Sequence, residues 1–189
     1  MGAGDGGYVL HRAKTEPSTF AIALDASPDA LSAGAWRAKR ARLTNAAFLV
    51  ESVERIPNEL AGLASEVTVR FPWGSLLRGL IAADDRVLTP LAKLLKPAGE
   101  LRLLLSATPR DGYSGLTPDD LSALAGSYAE HGLELAEARV ATRVDLATSR
   151  SSWAKRLGRG RPVVFARYSR RSSRSGFARI SVKRRSQRS

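Results

Sequence analysis

The chain has 189 residues, 43% hydrophobic and 25% charged, which suits one globular domain with a sizeable core and leaves little room for a second. It has no cysteine and only two histidines, His11 and His131, far apart in sequence, which excludes disulfide staples, zinc–thiolate clusters and thiol nucleophiles and argues against a histidine-based metal site or catalytic triad. No apolar run approaches the roughly 20 residues of a membrane span and no signal peptide opens the chain, so the cytoplasm is the expected compartment.

The net charge of +12 is concentrated. Residues 150–189 hold 14 Lys+Arg and no acid, whereas residues 1–149 hold 16 Lys+Arg against 18 Asp+Glu. A basic block on a nearly neutral domain is the footprint of a polyanion partner.

In chain order, a glycine-rich opening (Gly2-Ala3-Gly4-Asp5-Gly6) leads into a short predicted helix, Tyr8–Thr15, and a strand, Thr19–Asp25. Ser27 as N-cap, with proline at the first helical position, opens a long basic helix over Pro28–Leu43. Strands follow at Ala46–Ser52 and Glu66–Pro72. The stripe Val87, Leu88, Leu91, Leu94, Leu95 predicts a helix over Asp84–Leu95 that Pro97 and Gly99 stop. After a strand at Leu101–Ala107, Thr117 and Pro118, with Asp120 three residues after the threonine, open a helix running to about His131. Leu133–Ala141 and Val163–Tyr168 complete the strands. The alternation predicts an α/β domain with a parallel sheet over residues 1–168. From residue 169 to 189 the sequence is Ser/Arg-rich and reads as a basic tail, disordered until it meets a partner.

The glycine opening resembles the loop of folds that bind dinucleotides or S-adenosylmethionine, in which glycines let backbone approach a ligand and the next helix aims its N-terminus at it. Asp25 lies 21 residues after Gly4 at the end of an apolar strand, where such folds place the acid that accepts hydrogen bonds from ribose hydroxyls. No Walker lysine follows the glycines, the third glycine usual for NAD is missing, and Asp5 would repel a pyrophosphate. The positive sulfonium and ammonium of S-adenosylmethionine suit an acidic loop better.

Two tryptophans stand apart. Trp73 lies in Phe71-Pro72-Trp73-Gly74-Ser75, directly after a strand, where ligands meet this class of fold. Trp153 opens a run of cations, Lys155, Arg156, Arg159 and Arg161. An aromatic face ringed by Lys and Arg is what an unstacked base and its phosphates require. Trp36, inside the long helix, is expected to pack against the sheet.

Together GAGDG, TFAIALD, VESVERIPNELAGLASEVTVRFPWGSLLRG and SSWAKRLGRGRP resemble the aminoglycoside-resistance 16S rRNA adenine-N1 methyltransferases of the kanamycin–apramycin type, over nearly all of residues 2–168. The resemblance implies a class I S-adenosylmethionine-dependent methyltransferase fold, Rossmann-like, with a mostly parallel seven-stranded sheet. It implies methylation at N1 of adenine 1408 in the decoding site of the assembled 30S subunit, by a monomer. By resemblance, Gly2 and Gly4 line the methionine part of the cofactor and Asp25 binds its ribose. Val53 and Glu54 flank the adenine ring, Arg70, Phe71, Pro72, Trp73, Gly74 and Ser75 lie under the methyl group, and Ser151 closes the pocket. Trp73 and Trp153 hold the flipped adenine, and Lys155, Arg156 and Arg161 contact rRNA phosphates, with Arg159 in the same basic run. No metal is implied.

Two departures from the family are visible. Where some relatives carry a further basic residue just beyond Arg161, this chain has Pro162 and Val163. The family also has a first strand ending in an Asp two residues before the glycine loop, whereas this sequence starts at Met1. The expectation is therefore a gene read from an internal start, a sheet lacking its first strand, and two unpaired edges beside the gap. Competing readings are a tRNA guanine-N7 methyltransferase, sharing fold and basic surface, and a noncatalytic RNA-binding remnant.

Overall fold

The structure, a computed structural model, describes residues 1–113, 115–150 and 161–172. Six strands are formed among the described residues. β1 (Ala21–Asp25) and β2 (Ala46–Val50) make a parallel pair in which Asp25 lies opposite Val50. β3 (Ala64–Arg70), β4 (Leu95–Leu105), β5 (Leu133–Val140) and β6 (Val164–Arg170) form a second sheet in the order β3-β4-β6-β5. β3 and β4 are parallel, and β6 runs antiparallel to both of its neighbours. Among the described residues the sheet is therefore divided in two and has six strands, as expected of a seven-stranded fold lacking its first strand, and it is mixed because β6 runs against both of its neighbours. The division lies between β1 and β3. There the Ala3 amide donates to Leu24 O at 3.1 Å and the Met1 ammonium to Thr68 O at 2.8 Å, so the opening residues touch both sheets.

Period-two alternation gives the larger sheet two unlike faces. Val67, Val69, Leu101, Leu103, Leu105, Val164, Ala166 and Tyr168 are buried on one face in the main core. They pack against α3 (Gly74–Ile81), α4 (Asp85–Leu94), α5 (Pro118–Ala123) and α6 (Ala125–Glu130), through Leu77, Leu80, Leu88, Leu91, Leu121 and Tyr128. On the other face Glu66, Arg102, Glu100, Arg167, Glu137 and Arg139 form a ladder of ion pairs from strand to strand, with N···O distances of 2.6–3.7 Å. The ladder ties at one end to Arg12 of α1 (Gly7–Thr15) and at the other to Asp145 of α7 (Arg143–Thr148). Its arginine hydrogen bonds, from Arg102 first, hold the Glu100 carboxyl below its ordinary range. The smaller sheet packs Ala23 against Val9 of α1 and Leu31 of α2 (Pro28–Arg40).

Ser27 caps α2 as predicted, its hydroxyl accepting from the Ala30 amide at 3.3 Å, with proline in the first turn. Thr117 and Asp120 form the predicted capping box of α5. The helix expected to reach His131 is broken at Leu124 into α5 and α6. Two helices were not predicted: α3 starts inside the Pro-Trp-Gly turn that reads as a breaker, and α7 is only six residues long. β4 begins at Leu95, straight off α4, with Pro97 and Gly99 within it. β6 runs to Arg170, two residues past the predicted domain boundary, and residues 173–189 of the expected tail lie outside the described residues.

Tyr128 and Tyr168 stack in the core at 4.3 Å between ring centroids, but their hydroxyls differ. Tyr128 Oη donates to Leu80 O at 2.8 Å, whereas Tyr168 Oη is buried with no hydrogen-bond partner among the described residues. Burial pushes both phenol pKa values up. Removing a satisfied buried hydroxyl costs about 1 kcal/mol, while removing an unsatisfied one of the same shape costs little or stabilises. Tyr128→Phe should therefore lower the melting temperature, and Tyr168→Phe should leave it unchanged or raise it, as calorimetry would show.

Candidate active site

The site is assembled at the C-terminal ends of β1, β2 and β3, and one carboxylate organises it. Asp25 closes β1; its Oδ2 accepts the Gly4 amide at 2.9 Å and its Oδ1 accepts the Ser27 amide at 3.0 Å. One side chain thus fixes the glycine loop to the strand end and to the first turn of α2. An ionised carboxylate has about four lone-pair positions, so two bonds leave capacity for ligand hydroxyls. The Asp25 carbonyl also accepts from the Glu51 amide at 3.0 Å, which sets the end of β2 beside it.

Gly2, Gly4 and Gly6 all have positive φ, at 58°, 52° and 67°, a region that costs most other residues energy. A Cβ built at Gly4 meets nothing within 4 Å among the described residues. At Gly6 a Cβ would lie 2.6 Å from the Phe48 ring. Asp5 does not face an empty loop. Its Oδ1 accepts from the Gly7 amide at 3.1 Å, and its Oδ2 lies 3.4 Å from Arg37 Nη2 of α2.

The strand-end segment divides by side chain. Trp73 is 78% exposed at the turn that follows β3. Gly74 at φ 63° and Ser75 begin α3 beside it. Phe71 and Pro72 are buried, Val53 belongs to the main core, and Glu54 is exposed. The Arg70 guanidinium lies 3.1 Å from the Tyr8 ring centroid, with Nη1 buried and unpartnered among the described residues, and burial lowers its pKa.

Two close approaches bring the remaining parts together. The Cβ position of Gly2 lies 3.6 Å from Leu76 of α3, three residues past Trp73, and that of Gly7 lies 3.0 Å from Arg150 O. Residue 150, the last before the Ser151–Trp153 motif, thus stands at the glycine loop. Ser151, Trp153, Lys155, Arg156 and Arg159 lie outside the described residues, and Arg161 is exposed.

Sequence reasoning missed three contributors. A Cβ at Gly34 would lie 2.6 Å from Asp5 O, so glycine in mid-α2 lets the loop settle on the helix. Arg37 donates to that same carbonyl at 2.5 Å. Trp36, expected to pack on the sheet, is 59% exposed, with the Arg40 guanidinium 5.1 Å from its ring centroid and Lys39 and Arg42 exposed nearby in sequence. The four cations at 37, 39, 40 and 42 were visible as a cluster, whereas the Gly34 contact had no sequence signal.

Comparison with known proteins settles the family. The model of the family NpmA, 16S rRNA (adenine(1408)-N(1))-methyltransferase, matches residues 1–171. The chain belongs to this family. It is 31% identical over 169 residues to the 16S rRNA (adenine(1408)-N(1))-methyltransferase of Streptoalloteichus tenebrarius, covering 83% of this chain and 78% of that protein. Similarity to the Escherichia coli enzyme of the same description is 24% over 183 residues, covering 89% and 84%. Among solved structures, a tryptophan-to-alanine mutant of the Catenulisporales acidiphilia enzyme, with its cosubstrate SAM, superposes with a TM-score of 0.80 at 28% identity, covering 92% and 84%. The 16S rRNA methyltransferase KamB gives 0.79 at 30%, covering 90% and 86%. The α/β architecture is that of the S-adenosylmethionine-dependent methyltransferases.

Among the described residues, the clear space at Gly4 and the remaining acceptor capacity of Asp25 fit S-adenosylmethionine. Gly34→Ala should push Asp5 and weaken cofactor binding by about tenfold or more, even though alanine favours a helix by about 1 kcal/mol. Gly126→Ala, where a Cβ meets nothing within 4 Å, should leave binding unchanged. Isothermal titration of both variants checks the pair.

Proposed function

We propose that this chain transfers a methyl group from S-adenosylmethionine to N1 of adenine 1408 of 16S rRNA, on the assembled 30S subunit, as a cytoplasmic monomer, and so confers aminoglycoside resistance. The observation that carries this reading is an exposed tryptophan, Trp73, at the start of α3, whose Leu76 lies 3.6 Å from the Cβ position of Gly2 in the glycine loop that Asp25 holds. That arrangement offers a stacking face next to a nucleoside site. Among the described residues no helix is long and apolar enough to cross a membrane.

The cofactor, when bound, supplies an electrophilic methyl on a sulfonium. Adenine N1 carries a free lone pair at neutral pH, so the protein need not remove a proton before attack. Its task is positioning. Asp25 and the loop backbone orient the donor, and Trp73 stacks on the extruded base to offset the few kcal/mol of unstacking. Trp153 is proposed as the opposing ring, and Lys155, Arg156, Arg159 and Arg161 as phosphate contacts. The exposed cations at the end of α2 extend the basic surface and favour the same polyanion through counterion release. The methylated base bears a positive charge, which repels cationic aminoglycosides.

Primer extension on treated 30S subunits tests the reading, because a methyl on N1 blocks base pairing. A stop at adenine 1408 that requires S-adenosylmethionine is expected; transfer to tRNA with none to 30S would overturn it. Trp73→Ala should reduce methylation by about 10- to 100-fold, the scale of one lost stacking contact, with cofactor affinity within about twofold of wild type. A parallel loss of cofactor affinity would place the ring in the cofactor pocket instead.

A further inference from the structure

Trp73 is bracketed by two left-handed residues. Gly74 adopts φ 63° freely, but Phe71, at φ 48°, is a bulky residue in a region where few side chains are found. Pro72 adds to the conflict, because a residue before proline is driven toward extended backbone. Non-glycine residues held left-handed persist only where the surrounding structure over-determines them, and they gather at functional sites.

Two sets of contacts hold Phe71 there. Its amide donates to Leu104 O at 2.8 Å, one rung past the Arg70–Leu104 pairing that ends the ladder between β3 and β4. Its ring is 8% exposed, buried in an apolar knot with Leu104 and Val163 against which Ala141, Leu146 and Phe165 pack. Alternation along β3 would send Phe71 to the core face with Val67 and Val69. The ring instead joins Leu104 and Phe165, which pair across β4 and β6 on the face that carries the ion pairs. Arg139 of β5 closes the knot: its guanidinium lies 4.3 Å from the Phe165 ring centroid and forks onto Asp145 of α7 at 2.6 and 3.2 Å. The left-handed turn thus carries one ring to the far face of the sheet. It leaves Trp73, two residues on, in extended backbone at φ −138° and open to solvent.

We propose that Phe71 is a positioning residue for methyl transfer: burial of its ring holds the left-handed backbone that aims Trp73 at the substrate base. This rests on the proposed function, in which Trp73 stacks on the extruded adenine. Phe71 acts through Trp73, and not by contact with the base or the methyl donor.

Leucine and isoleucine at this position separate the backbone requirement from burial. The two are isomers of similar apolarity, but the β-branch of isoleucine is strongly disfavoured at positive φ. The test is single-turnover methylation of 30S subunits at saturating S-adenosylmethionine, with full-length Phe71→Leu and Phe71→Ile. The isoleucine variant should be slower than the leucine variant by about fivefold or more, because the β-branch drives residue 71 out of the left-handed region. Cofactor affinity should stay within about twofold of wild type in both, since the loop and Asp25 are untouched. In a Trp73→Ala background the two rates should differ by less than about twofold, because effects that act through one group do not add. A purely structural role would keep the difference in both backgrounds. Should Phe71→Ile fail to melt cooperatively, Phe71→Gly and Phe71→Ala take the place of the pair. Glycine, ordinarily the more disruptive, should then be the faster, since it alone accepts positive φ freely. Equal rates within the pair, a difference that survives removal of Trp73, or a parallel fall in cofactor affinity would overturn the proposal. Wild-type protein that leaves 30S unmethylated would instead overturn the function on which it rests.

Discussion

Both oxygens of Asp25 accept backbone amides, Gly4 on one side and Ser27 on the other, and the geometry of the candidate site follows from that. The bond to Gly4 offsets part of the conformational freedom that the loop's three left-handed glycines lose on ordering. Without the bond to Ser27, the start of α2 is released from the end of β1. α2 in turn supports the loop from below, through the bare Cα of Gly34 and the Arg37 guanidinium on Asp5. The glycine loop and the packing of α2 are one network, so a change in the helix can act at the loop.

The larger sheet supplies the rigid part. Its apolar face, buried under α3 to α6, fixes the end of β3 and with it the turn that exposes Trp73. Its charged face joins the two flanks of the molecule by ion pairs running from Arg12 to Asp145. Partly exposed pairs contribute little stability singly. Their value here is registry, since Arg102 and Arg167 each reach a carboxylate on a neighbouring strand and α7 hangs from the last rung. Polar alternation on these strands is also why the sheet departs from the continuous apolar runs of a fully covered parallel sheet.

Local chemistry was legible in the sequence. The Ser27 cap and the Thr117 box each depend on residues a few positions apart, and the structure shows both; the Gly4 and Asp25 that the spacing singled out are joined by a hydrogen bond. The exposure of Trp73 followed from its Pro and Gly neighbours. What stayed hidden depends on partners far apart in the chain. The Gly34 contact with Asp5, the Arg139–Asp145 fork over Phe165 and the Phe71 knot appear only once the strands are ordered. Trp36 misled because its place on a helix suggested burial, whereas Arg40 one turn later stacks on it at the surface. The antiparallel pairing of β6 could not be read from its composition, which suits either direction.

The role assigned to Asp25 is open to direct measurement by titrating S-adenosylmethionine into the wild-type chain and into Asp25→Ala, with the melting curve of each recorded alongside. The account predicts saturable one-to-one binding by the wild type and a loss of about tenfold or more in the variant, as expected when bonds to a charged acceptor are removed, while the main core still melts cooperatively. Equal affinities in the two proteins would contradict it, because the loop and the cofactor would then be held by something other than this carboxylate.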